Sequence, residues 1–512
     1  MRLKLALVAL LASSPSLAEP VFQREVVPHH IYGGGWEHFV GGGVAVFDCN
    51  DDRFPDLFVA GGENPAQLLV NTSEPRGSLT FQPQADEMIA VTGATGAYPM
   101  DVDNDGVLDL VVLRIGENVI LKGGDSCSFA PMTLPNLTFG DRWTTAFTAT
   151  WEKGSTLPTL MFGNYVDRQN PEGPFEACDT NDLFRPAADG YAETRLQPGY
   201  CPLSALFSDW NRNGRADLRL SNDRHYYVRG GAEQMWVMEP EPRLLTEAEG
   251  WIDHELWGMG IASRDLDFDG LPEVFLTSMG DQRLQKLTQA DLPTWKDVPY
   301  EMGTTAHRPH VGGDGRPSTG WHVAFGDLQN DGLDDAFIAK GNVDQMPGSA
   351  MDDPNSLLMQ RPDGTFFEAA EDAGIATFDR SRGAALVDLN RDGLLDLVVV
   401  NRRAPLELYR NATEGTGNWV RFALRQQTPN TQAVGAFLEL DLGTHKVLRE
   451  VTVGGGHAGG TAVPEHFGLG PSQAVRVRVI WPGGVASDWV PVKVNTSYVA
   501  TRDGDQVHLQ SY

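Results

Sequence analysis

The chain has 512 residues, 56 of them glycine and 32 proline, so short strands joined by many turns are expected rather than long helices. Acidic residues outnumber basic ones 69 to 40, giving a formal charge of −29. That balance argues against nucleic acid or an anionic membrane surface as partner, since both need a basic face. It leaves plain solubility, or carboxylates used as cation ligands, and their placement decides between the two.

In chain order, Met1-Arg2-Leu3-Lys4, the apolar run 5–12 and Ser16-Leu17-Ala18 have the three parts of a signal peptide, with cleavage expected after Ala18. A secreted or periplasmic protein is therefore expected. No later stretch reaches about 18 uninterrupted apolar residues, so no membrane span is expected. Residues 21–27, from Val21-Phe22-Gln23, read as a fourth strand with no unit before it.

One pattern then recurs: an apolar strand, an acidic loop of the form Asp-x-Asp/Asn-x-Asp-Gly-x-x-Asp, and a second apolar strand. Positions 1, 3, 5 and 9 of each loop are the candidate metal ligands. They are Asp48, Asn50, Asp52 and Asp56; Asp101, Asp103, Asp105 and Asp109; and Asp209, Asn211, Asn213 and Asp217. The later copies are Asp265, Asp267, Asp269 and Glu273; Asp327, Gln329, Asp331 and Asp335; and Asp388, Asn390, Asp392 and Asp396. The intervals are 53, 108, 56, 62 and 61 residues, so the second hides a further copy. Residues 146–151 and 159–163 supply its two strands without the acids, which makes seven units.

Each unit divides into four short strands, in the first at residues 43–47, 57–60, 67–70 and 79–82. Seven such units predict an all-β fold, a seven-bladed β-propeller. A solenoid is the alternative, but the capping repeats it needs are not seen. Residues 21–27 are expected to complete blade seven and close the ring, which removes the open sheet edge.

Oxygen-only ligands at alternate positions of a tight loop suit Ca²⁺, with the carbonyl at position 7 adding a further oxygen. Glycine at position 6 permits the sharp turn, and Arg53 in that place predicts a distorted first loop. An EF-hand is rejected, because the flanks are strands and position 12 of the second copy is Val112. Carboxylate count ranks the second and fifth blades' loops highest and the fourth blade's lowest. Up to six Ca²⁺ are expected, which would bring the formal charge from −29 to −17. The blander alternative is that Asp, Asn and Gly only shape turns.

The repeats resemble FG-GAP/VCBS repeats, which in integrin α-chains form a calcium-binding propeller. Further on, Asn430-Thr431-Gln432-Ala433-Val434-Gly435-Ala436, Gly454-Gly455-Gly456-His457, His466-Phe467-Gly468-Leu469-Gly470 and Trp481-Pro482-Gly483-Gly484 resemble the ASPIC/UnbV domain. Together they resemble the cartilage acidic protein family. The resemblance implies an extracellular or cell-surface interaction module whose partner is a protein or glycan. The expected domains are a signal peptide at 1–18, the propeller at 19–416 and a small ASPIC/UnbV-like β domain at 417–512. Alternation in Val475-Arg476-Val477-Arg478-Val479 independently supports a strand there. The glycines of this domain shape turns or form a binding rim.

Four cysteines allow three pairings, of which Cys178–Cys201 is attractive because both lie in one long excursion, leaving Cys49 with Cys127. His307, His310, Asp314 and His322 could form a transition-metal or catalytic cluster if they converge over the central channel, and the blander reading is a structured loop. That cluster carries the alternative function, a propeller-based lyase or hydrolase. Segments 222–227 and 257–260 are candidates for the central face or for blade packing. Asn71, Asn136, Asn411 and Asn495 fit the N-glycosylation pattern.

Overall fold

The computed structural model describes residues 18–223 and 231–512. All but the last residue of the expected signal peptide, and residues 224–227 of the segment noted above, lie outside the described residues.

The protein is a β-propeller. Among the described residues, the strands before Asn418 fall into seven four-stranded sets arranged round a ring. In the first set, Val44–Phe47, Asp56–Val59, Gln67–Asn71 and Phe81–Pro83 pair antiparallel in turn. The expected strand 79–82 thus starts two residues later. The third set, where the acids are missing, is Arg142–Thr150, Thr159–Asn164, Asn181–Ala187 and Gly190–Leu196. In the last set Phe22–Glu25 lies outermost, antiparallel to Glu407–Asn411. Gly383 N–H donates to Gly42 O at 3.0 Å, joining the seventh set to the first.

Burial explains the composition of these strands. First strands such as Val44–Phe47 and Ala94–Met100 are buried at every residue, because neighbouring blades cover both faces, so they read as continuous apolar runs. Fourth strands meet solvent, and Gly190–Leu196 is largely exposed. Apolar contacts bridge neighbours: Phe337 and Leu357 of blade six pack with Leu397, Val399 and Tyr409 of blade seven and with Phe22. The disulfides are Cys49–Cys127, between blades one and two, and Cys178–Cys201, between the blade-three excursion and blade four. No helix among the described residues is long and apolar enough to cross a membrane.

The C-terminal strands form two more four-stranded sheets, built on Asn418–Arg425 and Phe437–Asp441. They enclose a core that includes Phe422, Leu438, Val477 and Trp481. Val475–Ile480 buries alternate residues, as its sequence pattern requires.

The segment from Val453 to Thr461 leaves these sheets and enters the centre of the ring. Its backbone meets first strands of successive blades: Val46 N–H to Gly460 O at 3.1 Å, Ala97 N–H to Ala458 O at 3.2 Å, Gly455 N–H to Ala205 O and Gly456 N–H to Ile261 O, both at 2.7 Å. Thr148 donates to Val453 O at 2.5 Å, and His457 N–H donates to His322 Nδ1 at 3.0 Å. Glycines make this approach possible. A Cβ on Gly43 or Gly96 would lie 1.8 or 1.7 Å from Ala458 O. The glycine-rich segment is therefore a plug of the channel, neither a set of turns nor an exposed rim.

Candidate metal centres

The six acidic loops share one geometry, fixed by their own side chains. The residue at position 9 opens the second strand of each blade and pairs with the residue nine places earlier, as in Phe47 with Asp56 and Val387 with Asp396. The position-1 carboxylate folds back and accepts the N–H of position 6, at 2.6–3.0 Å in all six loops. The side-chain oxygen at position 5 accepts the N–H of position 7, at 2.8–3.0 Å. These bonds hold position 4 left-handed in every copy, with φ between 54° and 62° at Asp51, Asn104, Arg212, Phe268, Asn330 and Arg391. Arginine and phenylalanine rarely adopt that conformation, so the scaffold overrides the residue.

Arg53 at position 6 has φ 72°, close to the 83–94° of the glycines at the same place in the other five loops. The distortion expected from Arg53 is absent. The loop keeps its shape and carries the strain of a side chain in the left-handed region.

Position 9 is the anchor of the loop. In blades one, two, six and seven, both oxygens accept backbone N–H groups. Asp396 takes Leu389 N–H at 2.8 Å and Asn411 N–H at 2.9 Å, and Asp56 takes Cys49 N–H at 2.9 Å and Asn71 N–H at 2.8 Å. The same third-strand residues tie adjacent blades together. The Asn71 amide reaches Leu389 O, that of Asn411 reaches Leu328 O, and that of Gln360 reaches Leu266 O, at 2.9–3.1 Å. Asn71 and Asn411 are 3% and 0% exposed, so these two glycosylation-pattern residues are internal ties.

The structure gathers the acids unequally. Asp101, Asp103 and Asp109 bring ligand oxygens within 4.8 Å of one another, and so do Asp265, Asp267 and Asp269. Among the described residues, no other loop gathers three acids so closely. Cys49 and Cys127 also lie near Asp56, but they are bonded to each other and offer no thiolate. Burial pushes Asp56, Asp109 and Asp265 up to about 7 and Glu273 up to about 8, and raises Asp327, Asp335 and Asp396 well above the usual carboxylate range. Asp209 Oδ1, Asp265 Oδ1, Glu273 Oε1 and Gln329 Oε1 are buried without a hydrogen-bond donor. Buried oxygens that lack a hydrogen-bond donor, in loops whose candidate ligands are all oxygens, fit a hard divalent cation.

The C-terminal domain sits on this loop face as a cap and touches every acidic loop. Tyr512 lies under Arg53 and Arg391. Thr431 bonds the Asp101 carboxylate, and Glu450 accepts Asp209 N–H at 2.8 Å. His445 stacks near Phe268, His466 bonds Asn330 at 2.7 Å, and Arg421 pairs with Asp388 at 2.7 Å. Sequence reasoning missed this docking. The sequence signal of the plug that accompanies it is glycine at Gly43, Gly96 and Gly260, where a Cβ would meet the plug backbone.

The histidine cluster does not assemble. His322 is buried against the plug, His310 faces Glu368 at 3.4 Å, and Asp314 pairs with Arg316 at 3.5 Å. In segment 257–260, Gly260 lets the plug past, since a Cβ there would meet Trp321 O at 2.4 Å and Gly456 O at 3.1 Å. Asp223 accepts a short hydrogen bond from Tyr165.

Comparison with known proteins adds to this geometry. The family described as FG-GAP-like repeat matches residues 48–112, and the one described as ASPIC and UnbV matches residues 426–507. Human cartilage acidic protein 1 is 34% identical over 115 residues, 22% of this chain and 14% of the relative. The Xenopus tropicalis protein of the same name is 33% identical over 101 residues, 20% of this chain and 14% of the relative. The matched stretch thus spans about a seventh of either relative's length. Among solved structures, BBS1N in complex with ARL6DN, soaked with lead, aligns at TM-score 0.44 and 9% identity, covering 76% of this chain and 97% of that one. Trypanosoma rangeli sialidase in complex with DANA aligns at TM-score 0.35 and 10% identity, covering 67% and 57%. This chain matches the family models for the FG-GAP-like repeat and for ASPIC and UnbV, and about a fifth of it is similar in sequence to the cartilage acidic proteins.

Proposed function

We propose that the protein is an exported, calcium-binding propeller that acts as an interaction module for an extracellular or surface protein or glycan. On this reading residues 1–18 are removed, 19–416 form the propeller and 417–512 the cap, and the product is secreted or periplasmic. Up to six Ca²⁺ occupy the acidic loops, held at positions 1, 3, 5 and 9 and by the carbonyl at 7.

One observation carries the assignment of the working surface. In an antiparallel four-stranded blade, the connections alternate between the two ends. The acidic loops share their end with the turns between third and fourth strands, and the cap covers it. The opposite end carries the long excursions, and loops held on a rigid scaffold are where recognition residues concentrate. Trp36, 52% exposed, rests there on Trp143, with ring centroids 5.0 Å apart, and Phe175 is 63% exposed. The enzyme alternative needs the central channel, where the plug now lies.

The test is binding of the calcium-loaded protein to arrays of glycans and extracellular proteins, with Trp36→Ala alongside. Calcium-dependent binding that Trp36→Ala abolishes supports the reading. Chemical turnover of an arrayed glycan contradicts it, as does binding that survives Trp36→Ala and chelation.

A further inference from the structure

The loops of blades two and five differ from the rest in two linked ways. Position 3 is Asp103 or Asp267, whereas the other four loops place a neutral amide there, at Asn50, Asn211, Gln329 and Asn390. The third strand also places a lysine directly across from position 9. Lys286 pairs in register with Glu273, and the pairing of Leu110 with Leu121 sets Lys122 across from Asp109. By the same register, the residues facing position 9 in blades one, four and six are Val70, Val237 and Met359. In blade seven it is Arg410, which turns away to Glu25 at 3.0 Å.

Both lysines enter their loops. Lys122 Nζ pairs with Asp103 and stands 2.6 Å from Asp105. Lys286 Nζ pairs with Asp267 and stands 3.0 Å from Asp269 and 3.9 Å from Glu273. In blades one, six and seven the position-3 amide makes the equivalent bond. It donates to the position-5 carboxylate from Asn50 at 2.9 Å, Gln329 at 2.9 Å and Asn390 at 3.1 Å. The ammonium therefore does two things that the amide does not. It neutralises the extra carboxylate, leaving four acids and one lysine at the same net −3 as the three acids of blades one and six. It also sits between the carboxylates of positions 3 and 5, where a divalent cation would be held.

We propose that Lys122 and Lys286 are built-in counter-ions that compete with the divalent cation for the loops of blades two and five. The idea rests on the reading of the six loops as cation sites, and it reverses the order of affinity that carboxylate count suggests. Blades two and five, with most carboxylates, carry their own counter-ion and take Ca²⁺ only as the lysine withdraws. Blades one and six, whose ligand acids have no lysine or arginine ion pair among the described residues, fill first. An ammonium about 4 Å from a divalent ion weakens its binding about thirtyfold even at the dielectric constant of water.

The experiment is calcium titration of the full chain by calorimetry and equilibrium dialysis, with thermal unfolding in chelator as a second readout. Lys122→Met and Lys286→Met should each convert one weak site into a tight one, with affinity raised about thirtyfold. Each should also lower the melting temperature in chelator but not in saturating calcium. Lys122→Arg should behave as the parent. Asp103→Gln combined with Lys122→Met rebuilds the blade-six arrangement of Gln329 and Met359. It should fold normally and keep its melting temperature in chelator, which covers the case where Lys122→Met alone does not fold. Calcium bound by the parent, with number and affinity of ions unchanged in the lysine variants, overturns the proposal and leaves the cation reading standing. No calcium bound by any form overturns both.

Discussion

Blade three and the other six blades solve the same turn in two ways. In blade three, Thr150 pairs with Thr159, nine residues apart, the register that Val387 and Asp396 keep in blade seven. Gly154 at position 4 has φ 85°, left-handed as in the acidic loops. Where the others place a carboxylate at position 9, blade three has Thr159, whose hydroxyl donates to Glu152 at 2.9 Å, and Arg185 from the third strand closes onto the same Glu152 at 2.7 Å. A nine-residue turn between these strands therefore closes on one ion pair and one hydroxyl. The three or four acids in five of the other loops exceed what the turn requires, and most are buried where an uncompensated charge is costly.

The comparison is tested most strongly by removing cations. Each site at a hundred times its Kd adds about 2.7 kcal/mol of stability, so chelation should lower the melting temperature steeply, with Mg²⁺ a poor substitute. Equal melting temperatures with and without calcium would make the six loops no different from blade three.

Single substitutions then separate anchor from ligand. Asp396→Thr copies blade three at position 9 and strips Leu389 and Asn411 N–H of their carboxyl acceptor, for a loss of about 2–4 kcal/mol with or without calcium. Asp392→Ser copies Ser155 at position 5. It should remove one bound ion and cost about 1–3 kcal/mol in calcium, with little cost in chelator, as read by urea unfolding.

Acidity gives a smaller, continuous effect. Burial pushes Asp56, Asp109 and Asp265 up to about 7 and Glu273 up to about 8 in the fold, above the unfolded value of about 4. Their contribution in chelator is full below about pH 4 and is lost as pH rises towards 7–8. Calcium needs the ionised forms, so its stabilising effect should grow over the same range. Melting curves with and without calcium should converge on acidification. The smallest expected change is Arg53→Gly, which relieves a left-handed side chain and should gain about 0.5–1 kcal/mol.

The fold class was legible because each blade repeats its whole signal: apolar first strand, acidic loop, apolar second strand. Blade three remained legible without its acids, since residues 146–151 and 159–163 kept the strand spacing. The candidate ligands were legible from side-chain chemistry at fixed short spacing. Other features depend on what lies far apart in sequence. Lys122 follows Asp103 by 19 residues, and only the strand register brings them together. The plug is held largely by backbone groups, which leave no mark beyond the glycines that admit them. The left-handed position 4 was hidden because Arg212, Phe268 and Arg391 adopt it against their own preference. The histidines separated because His322 lies on a first strand facing the channel, while His307 and His310 lie in the connection before it.

The most direct test is a crystal grown in calcium, with anomalous scattering used to locate ions. The account predicts peaks inside the acidic loops, strongest in blades one and six, and none in the blade-three turn. Well-ordered acidic loops without a peak, with Lys122 and Lys286 unmoved at millimolar calcium, would contradict it.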